Sequence, residues 1–366
     1  MEWQGNKLRE VLKEKRFSLA AFAKLLNVSR QAVNDWVNGT VPKGSHLLSL
    51  CQSLGIMPDS LFNSITPDIV VPVHRKRRTA KLTEARRETA FCLAKKYEGF
   101  YRNRPRIKLQ RVIQFPEDLN DKDLCDLPQK LRWEAGVKNY YPLLIQNVFR
   151  LLEKLEVEVI FRRFPGELKS YAFFTEIYGY PVVFVNSANN VLDLSFPLLH
   201  EAIHALCRPQ QRAREFSDVE ELLCDQLAGQ VLFTPEYIQE VAESIQGISI
   251  GKKITALKRF ALNYHHSIYG LAIELKRVGI ELPSSVYGAD ANLHKNLEML
   301  EEILSGNGDA SRFVKNLFAA TPIFMKAVKK RILAISDSLL ADWLDLGSSL
   351  DAGEVRHEIM ALSENG

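Results

Sequence analysis

The sequence predicts a mainly helical α+β protein with one small β-sheet, and three patterns carry that prediction. Between Lys7 and Phe62 the chain has the pattern of several short amphipathic helices. From Val157 to Ser187, β-branched and aromatic residues are concentrated in strand-like runs. After Pro235 the pattern is again amphipathic and helical. We therefore expect an all-α N-terminal domain, a central core that contains the sheet, and a helical C-terminal region.

Length and composition narrow the class of protein. With 366 residues, of which 46% are hydrophobic, the chain is long enough for two or three folded domains. No apolar run approaches the roughly 18 residues that cross a bilayer, and the N-terminus lacks the order of a secretion signal. We therefore expect a cytoplasmic protein without a membrane partner. The five cysteines form no C-x-x-C pair, which argues against a disulfide framework and a thiolate zinc site.

Two short helices near the N-terminus form a predicted helix-turn-helix. Ser18 caps the first helix and Ser29 caps the second, because a serine side chain accepts a hydrogen bond from the first turn. Gly39 ends the second helix. A short turn with the sequence NVS joins the two, which is the arrangement of this motif. We expect the domain to span residues 1–65.

The segment from Lys7 to Phe62 resembles the lambda-repressor-like, or XRE, DNA-binding domain. The residues that carry the resemblance are Ala23, Val28, Ser29, Val33, Trp36, Gly39 and Pro42. It implies that the second helix of the pair enters the major groove of DNA. The side chains offered to bases and phosphates would be Ser29, Arg30, Gln31 and Asn34. Because Ala20 stands where the family usually has a glutamine, modest affinity for DNA and a protein-binding module are alternatives. A small helical bundle that touches no DNA is a further alternative.

Positive charge is concentrated in the first quarter of the chain. Residues 1–90 contain 15 Lys and Arg against 8 Asp and Glu, a balance of +7, whereas the whole chain has a net charge of +4. This distribution favours a polyanion such as DNA as a partner. We predict a basic linker over residues 66–90, which contains the run Arg75–Arg78. The run is either solvated or in contact with phosphates.

The stretch HEAIH places His200 and His204 four residues apart in a predicted helix that starts near Pro197. Residues at this spacing lie on one face of a helix, so both imidazoles can reach one ion. Two neutral imidazoles suit Zn²⁺, and the carboxylate of Glu201 can reach a water on the metal. Histidines with a purely structural role are the alternative, and the zinc interpretation needs a third ligand.

Glu221 is the candidate third metal ligand, and Asp225 is a candidate hydrogen-bond partner for one of the histidines. They are four residues apart on a second predicted helix, whose start is marked by a capping box of Ser217 and Glu220. Their E-x-x-x-D spacing is that of metallopeptidases whose third zinc ligand is a glutamate, so we expect Glu221 to bind the metal. Asp225 would then hold the far ring nitrogen of one histidine and fix its tautomer.

A pair of adjacent histidines follows further along the chain. His265 and His266 point in different directions on a helix, so they make a poor chelate. One of them, or the neighbouring Tyr264, is a candidate transition-state donor that polarises a carbonyl or stabilises an oxyanion.

Three stretches of the chain together resemble the ImmA/IrrE metallopeptidases. They are KLRWEAGVKNYYPLLIQNVFRLLEKLEVEV, YPVVFVNSANNVLDLSFPLLHEAIHALC and EELLCDQLAGQVLFTP. The departures are mild: Cys224 replaces a small alanine and Leu227 replaces a phenylalanine, and neither change removes a ligand. The resemblance implies a gluzincin-like zinc peptidase domain over residues 91–283, joined to an XRE domain as in many members. A C-terminal helical region of unknown role would follow over residues 284–366.

The resemblance also implies an activity. It is the site-specific cleavage of a protein substrate, an XRE-type repressor that controls mobile-element, phage or stress genes. One Zn²⁺ per chain, bound by His200, His204 and Glu221, would polarise the scissile carbonyl and lower the pKa of water. Glu201 would take up the water proton and pass it to the leaving amine. We expect the strand PVVFVNS to present an edge on which an extended peptide can lie.

Two other interpretations stay open. A DNA-binding transcriptional regulator or antitoxin would use the peptidase fold as a scaffold, although a scaffold has no need of Glu201 between paired histidines. Alternatively, the helix-turn-helix delivers the peptidase to the operator where its substrate sits, or mimics the repressor's own domain. Residues 284–366 would close the site, bind substrate or form a dimer.

Overall fold

The structure is a computed structural model, and it describes residues 2–56, 61–63, 69–71, 84–102, 104, 121–206, 218–295, 297–347 and 350–362. The chain divides into two compact units, Met1–Pro67 and Asp68–Gly366. The basic run Arg75–Arg78 and the predicted capping residue Ser217 lie outside the described residues. Within the described part of the chain, no helix combines the length and apolarity needed to span a membrane.

The N-terminal unit is a small helical domain closed by a two-stranded antiparallel sheet. Its elements are β1 (Glu2–Trp3), α1 (Gly5–Glu14), α2 (Leu19–Leu25), α3 (Arg30–Val37), α4 (Gly44–Leu54) and β2 (Phe62–Asn63). The predicted caps are confirmed, because the side chains of Ser18 and Ser29 each accept a 3.1 Å hydrogen bond from the backbone N–H three residues on. The core side chains include Leu8, Leu12, Phe22, Val33, Trp36, Leu50 and Leu54.

Two close contacts fix the N-terminal residues against the end of α3. The indole Nε1 of Trp3 donates a buried 2.7 Å hydrogen bond to the carbonyl oxygen of Trp36. Gly5 lies so close to the same turn that a Cβ atom there would be 2.6 Å from the carbonyl oxygens of Trp36 and Val37. Only glycine therefore allows this approach of α1 to α3.

The second unit contains one four-stranded sheet. Its strands are β3 (Ile69–Val70), β4 (Glu158–Arg162), β5 (Ala172–Ile177) and β6 (Tyr180–Asn186). The order is β3-β5-β6-β4, with β4 parallel to β6 and the other pairs antiparallel. The predicted hairpin is confirmed, with Tyr178 and Gly179 in its turn at φ angles of 51° and 85°. The prediction that β6 presents a free edge is wrong, because this strand pairs with β5 on one side and with β4 on the other.

Helices surround this sheet. They are α5 (Glu84–Lys95), α6 (Glu98–Tyr101), α7 (Asp121–Glu134), α8 (Ile145–Lys154), α9 (Ser195–Leu206), α10 (Asp218–Leu232), α11 (Pro235–Ile245), α12 (Ile250–Tyr264), α13 (Ile268–Arg277), α14 (Ser285–His294), α15 (Leu300–Ser305), α16 (Ala310–Ala320), α17 (Pro322–Lys329), α18 (Asp337–Leu344) and α19 (Ala352–Ala361). The helix α9 lies against β5 and β6, and α10 packs along α9. The mainly helical α+β class is confirmed.

The C-terminal helices complete the core of the second unit around β4. The hydroxyl of Thr321, at the start of α17, donates a buried 2.6 Å hydrogen bond to a backbone carbonyl of β4. Arg162, the last residue of β4, is buried and contacts the hydroxyl of Tyr97 at 3.0 Å and the carboxylate of Asp342 at 2.8 Å. The α18 carboxylate thus compensates a buried charge. The helices after Leu300 therefore share the hydrophobic core of the sheet.

Arg132 ties α7 to the C-terminal end of α10. Its buried guanidinium donates hydrogen bonds to the carbonyl oxygens of Val231, Asn139 and Tyr141 at 2.7, 2.9 and 2.6 Å. Val231 lies in the last turn of α10, where carbonyl groups lack partners within the helix and a cation is favourable. Burial lowers the pKa of Arg132 to about 10, so the side chain stays charged at neutral pH. This anchor helps to fix the direction of α10.

Candidate metal centre

Two neighbouring helices bring the predicted metal ligands together. His200 and His204 lie one turn apart on α9, and Glu221 lies in the first turn of α10. The Nε2 atoms of the two histidines are 2.8 Å apart. Oε2 of Glu221 lies 3.5 Å from Nε2 of His200, and its Oε1 lies 3.3 Å from Nε2 of His204. Three donor atoms, all within 4.8 Å of one another, therefore converge on one point.

The chemistry and spacing of these donors fit a zinc ion. Ligands of tetrahedral zinc, with bonds of about 2.0–2.2 Å, lie about 3.3–3.6 Å from one another. Both contacts of Glu221 fall in this range, and the two histidine nitrogens are closer by about 0.5 Å. The side chain of His204 is fully buried, and those of His200 and Glu221 are 12% exposed. Such a buried carboxylate is stabilised by a cation.

Asp225 lies behind His200, one helical turn after Glu221. Its Oδ1 is 2.9 Å from Nδ1 of His200, the nitrogen that points away from the cluster. The side chain of Asp225 is 51% exposed, so its charge remains solvated. Burial lowers the pKa of His200, but hydrogen bonds to Asp225 and Glu221 outweigh this effect and raise the pKa to about 10. The structure thus brings Asp225 to the position that the E-x-x-x-D spacing predicts.

Glu201 lies beside the cluster, where α9 meets the sheet. Its buried carboxylate accepts a 2.8 Å hydrogen bond at Oε2 from the backbone N–H of Phe174 in β5. Among the described residues, β3 pairs with only two residues of β5, Ile177 and Glu176. The described part of β3 thus ends before it reaches Phe174. The carboxylate of Glu201 therefore lies beside a stretch of β5 that the described part of β3 does not cover.

Cys224 makes a contact with the metal cluster that the sequence motifs do not predict. Its Sγ lies 3.5 Å from Nδ1 of His204, and both side chains are fully buried. Cys224 follows Glu221 by three residues, so the two share a face of α10. This spacing is the signal in the sequence for the contact, although the family pattern has only a small packing residue at this position.

The candidate transition-state donors lie elsewhere. His266 is buried, with Nε2 2.7 Å from the hydroxyl of Tyr237 and its ring against Phe233, which follows the end of α10. From Glu221 to that end, α10 extends for about 16 Å. Burial lowers the pKa of His266 to about 4.

The other two candidates belong to the same end of α10. Tyr264 stacks on Tyr141 and packs edge-on against Tyr237, while His265 is exposed at the end of α12. Tyr264 and His266 thus belong to an aromatic cluster, whereas His265 is exposed. The role of Tyr264, His265 or His266 as a transition-state donor stays a prediction.

The predicted DNA-contacting residues lie at the start of α3. Ser29 caps the helix with its side chain, so its hydroxyl has a structural task as well. Arg30 and Gln31 are exposed, and Asn34 is partly buried one turn later. Nε2 of Gln31 donates a 2.7 Å hydrogen bond to the carboxylate of Asp35. The first turn of α3 thus presents polar side chains and one positive charge to the surroundings.

Comparison with known proteins identifies one part of the chain. A family model described as a Cro/C1-type HTH DNA-binding domain matches residues 7–67. No curated protein and no solved structure matches the chain. The matched residues cover the helix-turn-helix formed by α2 and α3. Residues 7–67 are therefore a Cro/C1-type helix-turn-helix DNA-binding domain.

Proposed function

We propose that the second unit is a zinc-dependent endopeptidase that cleaves a protein substrate. The observation that carries this proposal is the convergence of His200, His204 and Glu221 on one point, with Glu201 beside them. Two imidazoles and one carboxylate leave a fourth zinc position for water or substrate, which is the ligand set of catalytic sites. The earlier resemblance to ImmA/IrrE metallopeptidases supports the same activity.

The residues of the chain divide the chemistry between them. His200, His204 and Glu221 would hold zinc, which supplies Lewis acidity to a peptide carbonyl and to water when it is bound. Glu201 is the general base that takes the proton of the attacking water and then gives it to the leaving amine. The N–H of Phe174 holds Oε2 of Glu201, so proton transfer falls to Oε1. Asp225 orients the ring of His200.

The β5 strand offers a way to position the substrate. The edge near Phe174 is adjacent to the carboxylate of Glu201. A peptide that adds to this edge in an extended conformation presents its carbonyl groups at regular intervals beside the base. Backbone pairing of this kind holds the scissile bond in place and leaves the choice of sequence to side-chain pockets.

The N-terminal domain narrows the substrate class. A Cro/C1-type DNA-binding domain at residues 7–67 supports a role in transcriptional control. We therefore propose an XRE-type repressor as the substrate, in the control of mobile-element, phage or stress genes. In that arrangement the helix-turn-helix either brings the peptidase to the operator or mimics the domain of the repressor. Binding to operator DNA that weakens steeply with salt favours delivery over mimicry.

The competing function is a DNA-binding regulator or antitoxin that uses the second unit as a scaffold. The match of residues 7–67 to a DNA-binding family favours it. A scaffold, however, gains nothing from a buried Glu201 next to a convergent set of two histidines and a glutamate, because burying ionisable groups costs stability. The donor set therefore favours the enzyme.

The decisive experiment combines metal content with cleavage. Elemental analysis of the purified protein should find about one zinc per chain in the wild type and in Glu201→Gln, and much less in Glu221→Ala. A peptide library derived from a proteome, followed by mass spectrometry, should show new termini with the wild type and none with Glu201→Gln. Cleavage by Glu201→Gln at the wild-type rate would refute its role as base. If the wild-type protein binds no zinc, the peptidase proposal fails and the DNA-binding regulator is the remaining function.

A further inference from the structure

The two metal-binding histidines need partners on their outer nitrogens. Both rings turn Nε2 toward Glu221, so Nδ1 of each ring points away from the cluster. A histidine that binds a metal through Nε2 carries its proton on Nδ1. An acceptor for this N–H fixes the tautomer and the orientation of the ring.

The outer partners of the two rings differ in chemistry. Nδ1 of His200 faces the carboxylate of Asp225 at 2.9 Å, and that carboxylate is half exposed. Nδ1 of His204 faces Sγ of Cys224 at 3.5 Å, a distance that suits a hydrogen bond to sulfur, and both side chains are inaccessible to solvent. One ring therefore has a charged partner at the surface, and the other has a neutral partner in the core.

The position of Cys224 on α10 is tied to that of the ligand. Glu221 and Cys224 are three residues apart and share a face of the helix. Glu221 approaches Nε2 of His204 at 3.3 Å, and Cys224 approaches Nδ1 of the same ring. A single helix thus contacts both nitrogens of His204, and any rotation of that ring breaks one of these contacts.

The surroundings explain why sulfur suits this place. The neighbours on α9 and α10, Ile203, Leu227 and Ala228, are buried apolar residues. A carboxylate without water in such a core is costly, whereas a thiol packs as a small apolar group and still accepts a weak hydrogen bond.

We infer that Cys224 is a positioning residue for the metal centre, whose sulfur accepts the hydrogen bond from Nδ1–H of His204 and directs that ring toward the metal. The inference rests on the proposed function, since it presupposes zinc at His200, His204 and Glu221. It goes beyond that proposal because it gives a task to a residue that binds neither metal nor substrate.

Zinc affinity separates a hydrogen-bond acceptor from a packing group. The zinc dissociation constant is measured by competition with a chromophoric chelator for Cys224→Ala, Cys224→Val and Cys224→Ser. The alanine and valine variants lack the acceptor, so zinc binding should weaken about 10- to 100-fold. The serine variant keeps an acceptor and should bind zinc nearly as the wild type does. A packing role predicts that the hydroxyl of serine is tolerated least.

Two further measurements keep this test conclusive. The d–d absorption bands of the Co²⁺-loaded protein should shift in Cys224→Ala and stay in place in Cys224→Ser, because only the alanine releases the ring of His204. Thermal unfolding of the metal-free variants shows whether a lost affinity reflects a lost fold. As a matched control, Cys51→Ala removes a buried thiol from the N-terminal unit and should leave zinc affinity unchanged.

The outcomes distinguish this inference from the function on which it rests. If the folded alanine and valine variants bind zinc as tightly as the wild type, Cys224 has no positioning role although the metal centre stands. If the wild type itself takes up no zinc, the proposed function fails and the inference falls with it.

Discussion

Two histidine clusters lie at opposite ends of α10, and they differ in what surrounds the imidazole rings. At the first end, carboxylates of Glu221 and Asp225 raise the pKa of His200 to about 10. At the second end, Tyr237 and Phe233 enclose His266, and burial lowers its pKa to about 4. The surroundings thus favour positive charge at the imidazole in one place, and keep the imidazole neutral in an aromatic core in the other.

The comparison shows that neighbours, rather than the histidine itself, decide its role. Carboxylates within hydrogen-bond distance favour an imidazole cluster that binds positive charge, whereas a fully buried ring without a charged partner is held neutral. Both sets of neighbours belong largely to α10 and the residues that follow it. The spacing of the histidines in the sequence indicates which pair can chelate an ion, and the packing of this helix decides what surrounds each ring.

The largest expected difference between the two clusters is in metal binding. His204→Ala should weaken zinc binding by more than about 100-fold, because a direct ligand contributes more than an outer partner does. His266→Ala should leave about one zinc per folded chain. Both values come from chelator competition with the two purified variants. Equal zinc affinity in the two variants would contradict the assignment of the clusters.

The second expected effect is a pH dependence of stability that comes from His266. Its pKa is about 4 in the folded protein and 6.5 in the unfolded chain, so only the unfolded state takes up a proton between these values. The contribution of neutral His266 to the free energy of unfolding is fully present above pH 6.5. It is lost as the pH falls toward 4 and amounts to about 3 kcal/mol. Urea unfolding measured from pH 7 to 4.5 should show that the free energy of unfolding falls less steeply with pH in His266→Gln than in the wild type. If the free energy of unfolding depends on pH in the same way in both proteins, His266 is not the source of the pH dependence.

A smaller effect is expected when the partner of His266 is removed. Tyr237→Phe deletes the hydroxyl that lies 2.7 Å from Nε2 of His266 and leaves that buried nitrogen without this contact. The loss should lower the free energy of unfolding by about 1–3 kcal/mol. Zinc affinity, measured on the same samples, should not change. A variant as stable as the wild type would show that this hydrogen bond contributes nothing.

The smallest effect is expected at Asp225, since its carboxylate is half exposed. Asp225→Ala should weaken zinc binding by about 10-fold through the loss of the partner of His200. Asp225→Asn keeps an oxygen acceptor, so its zinc affinity should fall less than that of Asp225→Ala. The free energy of unfolding of the metal-free variants serves as the control and should stay near that of the wild type. A loss as large as that of His204→Ala would mean that Asp225 itself binds the metal.

Predictions that depended on local rules agree with the structure. The caps Ser18 and Ser29 followed from the preference of serine for helix starts. The hairpin followed from two β-rich runs around Tyr178 and Gly179. His200 and His204 share a face because an α-helix has 3.6 residues per turn, and the same rule places Asp225 one turn from Glu221.

Predictions that depended on contacts between distant segments were less successful. The edge expected of β6 is covered by β4, and nothing in the PVVFVNS stretch records this pairing. The burial of His266 against Tyr237 from another helix is likewise not visible in its local sequence. The contact of Cys224 with His204 depends on how closely α9 and α10 approach each other.

By itself, the sequence determined the helix-turn-helix domain, the α+β class and the candidate metal ligands on each helix, because helical and strand periodicities act over a few neighbouring residues. Only the tertiary structure decided that Glu221 reaches both histidines, that Phe174 holds Glu201, and that His266 is enclosed by aromatic rings. These contacts join residues 17 or more positions apart, and they depend on how the helices and β5 pack into one core.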